Sequence, residues 1–157
     1  MFRSILVPLD GSQLAECAVS YAEALATASG DCTVTLVSVT ERVTGFRAIE
    51  EPRNPSGQRL APEARGKLER AATKYLAGVS QRLASRGIKV ETEVLFGKPA
   101  EEIALYVRHE GIDLVIMSSH GRGGPSRWAM GSVAERVLKS VEVPVMVVRA
   151  PSCHGTL

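Results

Sequence analysis

Residues 113–141, reading DLVIMSSHGRGGPSRWAMGSVAERVLKSV, gather the residue types from which chains build phosphate sites. The apolar run Leu114-Val115-Ile116-Met117 has the composition of a strand buried on both faces. Residues 118–131 follow, with four glycines, a proline and two arginines. At Gly131-Ser132 a helical pattern begins, carried by Val133, Val137, Leu138 and Val141. The first N–H groups of such a helix have no partner inside it, and its dipole favours negative charge there. The implied chemistry is anion recognition, and the phosphates of a nucleotide are the expected anion.

Two phosphate motifs are excluded. There is no G-x-x-x-x-G-K-[ST], so no lysine is set to cradle a β- or γ-phosphate. Gly121 and Gly123 begin a G-x-G-x-x-G, but Ser126 stands at its third place. That fingerprint also belongs after the first strand, where this chain has Asp10-Gly11-Ser12. No nucleophile stands beside a base and no carboxylate pair flanks the loop, so binding rather than turnover is expected and no catalytic residue is assigned. Plainer readings compete at each position. Ser132 and Glu135 form an S-x-x-E capping box, which accounts for both without a ligand. Asp10 suits the closing of a turn. His120 fits a solvated or backbone-bonded residue better than a base, Arg122 and Arg127 fit ordinary loop charges, and Trp128 fits a residue packing the loop down. His109 and His154 show no ligand spacing, and no metal site is expected.

The elements that must position these residues are legible from punctuation and period. Ile5-Leu6-Val7 reads as a buried strand closed by Pro8, with Asp10-Gly11 as its turn and Ser12 as an N-cap. Ala15, Ala18, Val19, Ala22 and Leu25 recur at helical spacing up to Gly30, and the small side chains let this helix lie close to a sheet. Residues 33–39 are a β-branched strand. Residues 40–61 hold prolines, glycines and mixed charges, a connection long enough to be either a functional lid or a mobile loop. A long helix follows from Pro62, with Leu68, Ala72, Tyr75, Leu76, Val79 and Leu83 on one face, ending at Gly87. Residues 89–96 alternate as a half-exposed edge strand. Gly97-Lys98-Pro99 leads into a helix with Glu101 and Glu102 in its first turn, stopped at Gly111. The fourth strand, the glycine loop and the helix from 132 come next, and Pro144-Val145-Met146-Val147-Val148 is a fifth strand. Strands alternating with helices imply a parallel sheet covered on both faces, with ligands bound beyond the strands' carboxyl ends.

Composition narrows the partners. A net charge of +2 and an aromatic content of 4% argue against nucleic acid. No apolar run approaches the roughly 20 residues of a membrane span, and the N-terminal segment is too short in its apolar part for a signal peptide. Cys17, Cys32 and Cys153 are widely spaced with no C-x-x-C, so reduced thiols and a cytoplasmic location are expected.

Ser118-Ser119-His120-Gly121, nine further residues and then Gly131-Ser132 resemble the G-x2-G-x9-G-[ST] pattern carried after the fourth strand by nucleotide-binding members of the universal stress protein family. The resemblance extends over nearly the whole chain, through ILVPLDGS, Val39 at the end of the second strand, HGRGG, GSVAERVL and PVMVV. Ser118 stands where the pattern has its first glycine, adding a Cβ and a hydroxyl that is itself able to hydrogen-bond a ribose or phosphate. The resemblance implies a three-layer α/β/α fold of the adenine-nucleotide alpha hydrolase-like type, with a five-stranded parallel sheet in the order 3-2-1-4-5. It implies one domain over residues 1–150 and a flexible tail over 151–157. It also implies ATP as ligand, with any Mg²⁺ held through the phosphates, and a homodimer through the strand at 144–149. Carried over position by position, Pro8, Leu9 and Asp10 form the first-strand rim, and Asp10 and the backbone at Val39 face adenine and ribose. Met117, Ser118, Gly121 and Arg122 form the ribose and phosphate wall, and Gly131, Ser132 and Val133 the phosphate cradle. Two alternatives stay open: weak ATP hydrolysis or self-phosphorylation on Ser118, Ser119 or Ser132, and a protein of the same fold that does not bind ATP. A phospho-accepting receiver domain is disfavoured, because Asp10 lacks a neighbouring acid and the third strand ends in Phe96-Gly97.

Overall fold

A computed structural model of the chain describes residues 1–40, 62–121 and 130–149, with side-chain surroundings given from residue 66 onward in the second stretch. Five strands and four helices alternate: β1 (Ser4–Pro8), α1 (Gln13–Ser29), β2 (Thr33–Thr40), α2 (Pro62–Ala84), β3 (Lys89–Phe96), α3 (Pro99–His109), β4 (Leu114–Ser118), α4 (Ser132–Ser140) and β5 (Val145–Val148). The strands form one parallel sheet in the order β3-β2-β1-β4-β5, the order the resemblance implies.

The central strands are mostly apolar because both faces are covered, with Thr35, Ser38 and Ser118 as buried polar exceptions. Ile5, Val7, Leu36, Leu114 and Ile116 pack with α1 and α2, while Leu6, Val37, Val115 and Met117 pack with α3 and α4. Ile5, Leu6 and Val7 are fully buried, each contributing about 1.5–3 kcal/mol of transfer free energy. The face of α1 turned to the sheet is Ala15, Ala18, Ala22 and Ala26, so backbone approaches backbone without large side chains between. Ser12 caps α1 by accepting from the Ala15 N–H at 3.1 Å, and Gly30 ends the helix at φ 76°. Asp113, just before β4, accepts from the Arg3 N–H at 2.8 Å and the Ser4 N–H at 3.3 Å, tying β4 to the start of β1.

Three expectations change. Leu68 on α2 is 52% exposed instead of in the core, because the sheet side of α2 is covered only from Tyr75 onward. Leu138 on α4 is 46% exposed, and Ala134 and Val137 are the buried residues there. Cys32 is a buried free thiol, but Cys17 is disulfide-bonded, its partner lying outside the described residues. Spacing along a chain says nothing about which cysteines meet in space. The loop at 41–60, Arg122, Arg127, Trp128, His154 and the tail at 151–157 also lie outside the described residues.

Candidate nucleotide site

The carboxyl ends of β1, β2 and β4 open onto a cavity of about 810 Å³, within the range of small-molecule pockets. Pro8, Leu9 and Asp10 line it from β1, and Val39 from β2. Met117, Ser118 and Gly121 line it from the end of β4, and Gly131, Ser132 and Val133 from the start of α4. The fold therefore brings together every residue picked out from the sequence except Arg122, which lies outside the described residues. The site sits between β1 and β4, where the winding direction of the sheet reverses, the usual ligand position in such sheets.

Two legs of the chain make the anion end. Gly131 donates its N–H to the Ser119 carbonyl at 2.8 Å, and Ser119 donates its own N–H to Val148 of β5 at the same distance. These bonds lock the exit of β4, the entry of α4 and the end of β5 together. A Cβ on Gly131 would lie 2.8 Å from the Ser119 carbonyl oxygen, so only glycine fits without displacement. At Gly121 a Cβ would instead meet the Asp10 carboxylate, the end of a side chain that can turn aside more readily than backbone.

The capping box expected of Ser132 and Glu135 does not form. Gly131 is the N-cap, with φ −61° and ψ 148°, and no side chain caps α4. Glu135 instead pairs with Lys139 at 2.6 Å, which holds its carboxyl below the usual carboxylate range. The residue at which the helical dihedrals begin decides this. Ser132 is already helical and sits one place too late to cap. Among the described residues no side chain takes up the first N–H groups of α4, and the positive end of the helix dipole lies behind them.

Most of the other polar groups at the site have definite partners. Asp10 closes its turn through one carboxylate oxygen, accepting from the Ser12 N–H at 2.9 Å and the Ser12 hydroxyl at 2.6 Å. Ser118 is 7% exposed, and its hydroxyl donates to the His120 carbonyl at 2.6 Å, so its proton is already committed inside the loop. His120 is half-buried: Nδ1 lies 3.0 Å from the Ser119 hydroxyl, and Nε2 is buried with no partner among the described residues. Among the described residues no three His, Cys, Asp or Glu side chains lie together as a metal site would need.

Sequence reasoning missed the wall from α2. Leu68, Ala71, Ala72 and Tyr75 of α2 also line the cavity, adding apolar surface suited to a planar ring. The only signal was the helical period of Leu68, Ala72 and Tyr75, which core packing explains equally well. Tyr75 is oriented by donating to Glu16 at 3.1 Å, and Glu16 in turn holds Arg82 at 2.6 Å. Burial, reinforced by the Glu16 charge, pushes the Tyr75 phenol well above its usual range.

A family model described as the universal stress protein family matches residues 1–149. Universal stress protein MJ0577 of Methanocaldococcus jannaschii is 31% identical over 163 residues, covering 95% of this chain and 96% of that protein. Universal stress protein YxiE of Bacillus subtilis is 27% identical over 156 residues, covering 95% and 100%. The solved structure of MJ0577 superimposes with a TM-score of 0.79 at 32% identity, covering 95% and 96% of the two chains. A universal stress protein from Archaeoglobus fulgidus in complex with dAMP shares the fold at TM-score 0.62 and 17% identity, covering 94% and 97%. One in complex with cAMP does so at TM-score 0.66 and 17% identity, covering 95% and 98%.

Proposed function

This chain belongs to the universal stress protein family, and from that premise we propose that it binds ATP in the cavity at the carboxyl edge of its sheet. The observation that carries the reading is the uncapped start of α4 at Gly131 and Ser132, facing an 810 Å³ cavity with an apolar wall. Adenine packs against Leu68, Ala72 and Tyr75, with Asp10 and the Val39 backbone at its rim. The phosphates take the free N–H groups of α4, and Arg122 adds charge. Mg²⁺ is held through the phosphates, since it keeps most of its waters and needs few protein ligands. Adenine-nucleotide complexes of family members, with cAMP and with dAMP, support the ligand class. Calorimetry with ATP and Mg²⁺ tests the reading, and no heat of binding at millimolar nucleotide would sink it.

Binding serves as a switch in this proposal. ATP favours one state of a homodimer formed through the edge strand β5, where Val145 and Val147 are half-buried and Met146 is exposed. A nucleotide-dependent stress or signalling role in the cytoplasm follows, with residues 1–150 as the working domain. No helix among the described residues is long and apolar enough to cross a membrane. Cell fractionation tests the location.

A second reading, slow hydrolysis or self-phosphorylation, draws its support from Ser132. Ser118 and Ser119 are buried, whereas Ser132 is exposed at the cradle. Incubation with γ-labelled ATP distinguishes the two readings: neither released phosphate nor labelled protein leaves binding alone.

A further inference from the structure

Beside the candidate nucleotide cavity, sharing Pro99, Ser132 and Val133 with it, lies a second cavity of about 230 Å³ between the starts of α3 and α4. Residues 97–101 form one wall, and Ser132, Val133 and Arg136 form the other. Ser132 and Arg136 are one turn apart on α4 and so look out from the same face. Among the described residues lining the larger cavity there is no lysine or arginine, whereas the annex has both Lys98 and Arg136. Its one carboxylate, Glu101, is 3.3 Å from the Lys98 ammonium, so that pair is close to neutral. Arg136 belongs to none of the ion pairs among the described residues. The space is smaller than a whole-ligand pocket and of a size for one phosphoryl group with its water.

We infer that this annex is the terminal-phosphate subsite of the nucleotide site, and that Arg136 makes the site prefer nucleoside triphosphates to monophosphates. The inference rests on the ATP reading above. The inner phosphates meet the start of α4, and the chain then turns past Ser132 and Val133 into the annex. There a guanidinium offers a planar fork that matches two phosphate oxygens, a match an ammonium cannot make. A monophosphate ends at the cradle and never reaches Arg136.

Calorimetry on the full chain with ATP, ADP and AMP, each with Mg²⁺, tests this. The wild type is expected to bind ATP more tightly than AMP. Arg136→Gln is expected to weaken ATP about tenfold and leave AMP unchanged, and Arg136→Lys to recover part of the loss. Arg136 is exposed, so the variants keep the wild-type melting temperature. Equal wild-type affinity for ATP and AMP, an unaltered ATP affinity in Arg136→Gln, or an equal loss for both nucleotides would overturn the subsite while leaving the ATP reading standing. Failure of the wild type to bind any adenine nucleotide overturns the ATP reading, and the subsite with it.

Discussion

Substituting Gly131 by alanine tests the cradle directly, because the cost is set by one distance. Its φ of −61° and ψ of 148° are open to any residue, so backbone conformation contributes no strain. The added Cβ, however, lies 2.8 Å from the Ser119 carbonyl oxygen and 3.6 Å from the His120 Cα. Ordinary contacts begin about 0.6 Å farther out, and the obstacle is backbone, which cannot rotate away. Relief requires moving α4 off Ser119, which lengthens the 2.8 Å bond between the Gly131 N–H and the Ser119 carbonyl. Overpacking costs about 1–3 kcal/mol and the weakened bond about 1 kcal/mol, offset by about 0.4–1 kcal/mol from the stiffer unfolded chain. The net loss is about 1–3 kcal/mol, a fall in Tm of roughly 3–10 °C for a chain of this size. Gly78, inside α2 with open space where its Cβ would go, is the control. Gly78→Ala removes a glycine from a helix and should stabilise by about 0.5–1 kcal/mol. Urea denaturation of the two variants gives both numbers, and nucleotide titration of Gly131→Ala should show weaker binding. Equal stability of Gly131→Ala and wild type would refute the argument that backbone contact reserves this position for glycine.

Other consequences are equally direct. Leu68→Ala should change stability by less than about 0.5 kcal/mol, since the residue is 52% exposed, yet weaken nucleotide binding. Leu76→Ala, farther along α2 and fully buried, should cost about 2–5 kcal/mol in the same urea titration. Ser118→Gly loses the hydroxyl bond to His120 and adds backbone freedom, so it should cost about 1–2 kcal/mol; it should tighten ATP binding in calorimetry by widening the wall. The Tyr75 phenol is held un-ionised in the folded state, so the unfolded chain alone loses this proton as pH rises through about 10. Its contribution is complete below that pH and lost above it, and Tyr75→Phe should flatten the fall in stability between pH 9 and 11 seen in urea titrations. Met146→Lys on β5 should yield a monomer by light scattering if the edge strand is the dimer contact.

Local chemistry alone determined much of this protein. Four short apolar or β-branched runs and one alternating edge run, separated by Gly, Pro and helical periods, specify a parallel α/β sheet, because a strand buried on both faces has few polar positions to spare. The loop after β4 advertised an anion site by its glycines and by the helix that follows it. The tertiary structure decided what those residues face. Whether Ser132 caps α4 depends on one residue of phase at the helix start, which a four-residue pattern cannot report. Leu68 reads as core by its period, but burial depends on what stands opposite, and opposite Leu68 there is a cavity. Asp10 and Gly121 meet although far apart in the chain, and that contact appears only in the folded protein. Arg136 likewise became a candidate phosphate ligand only when α3 and α4 were seen to start side by side. Propensity and period act over a few residues, whereas a binding site is made by residues that only the folded chain brings within a few ångströms.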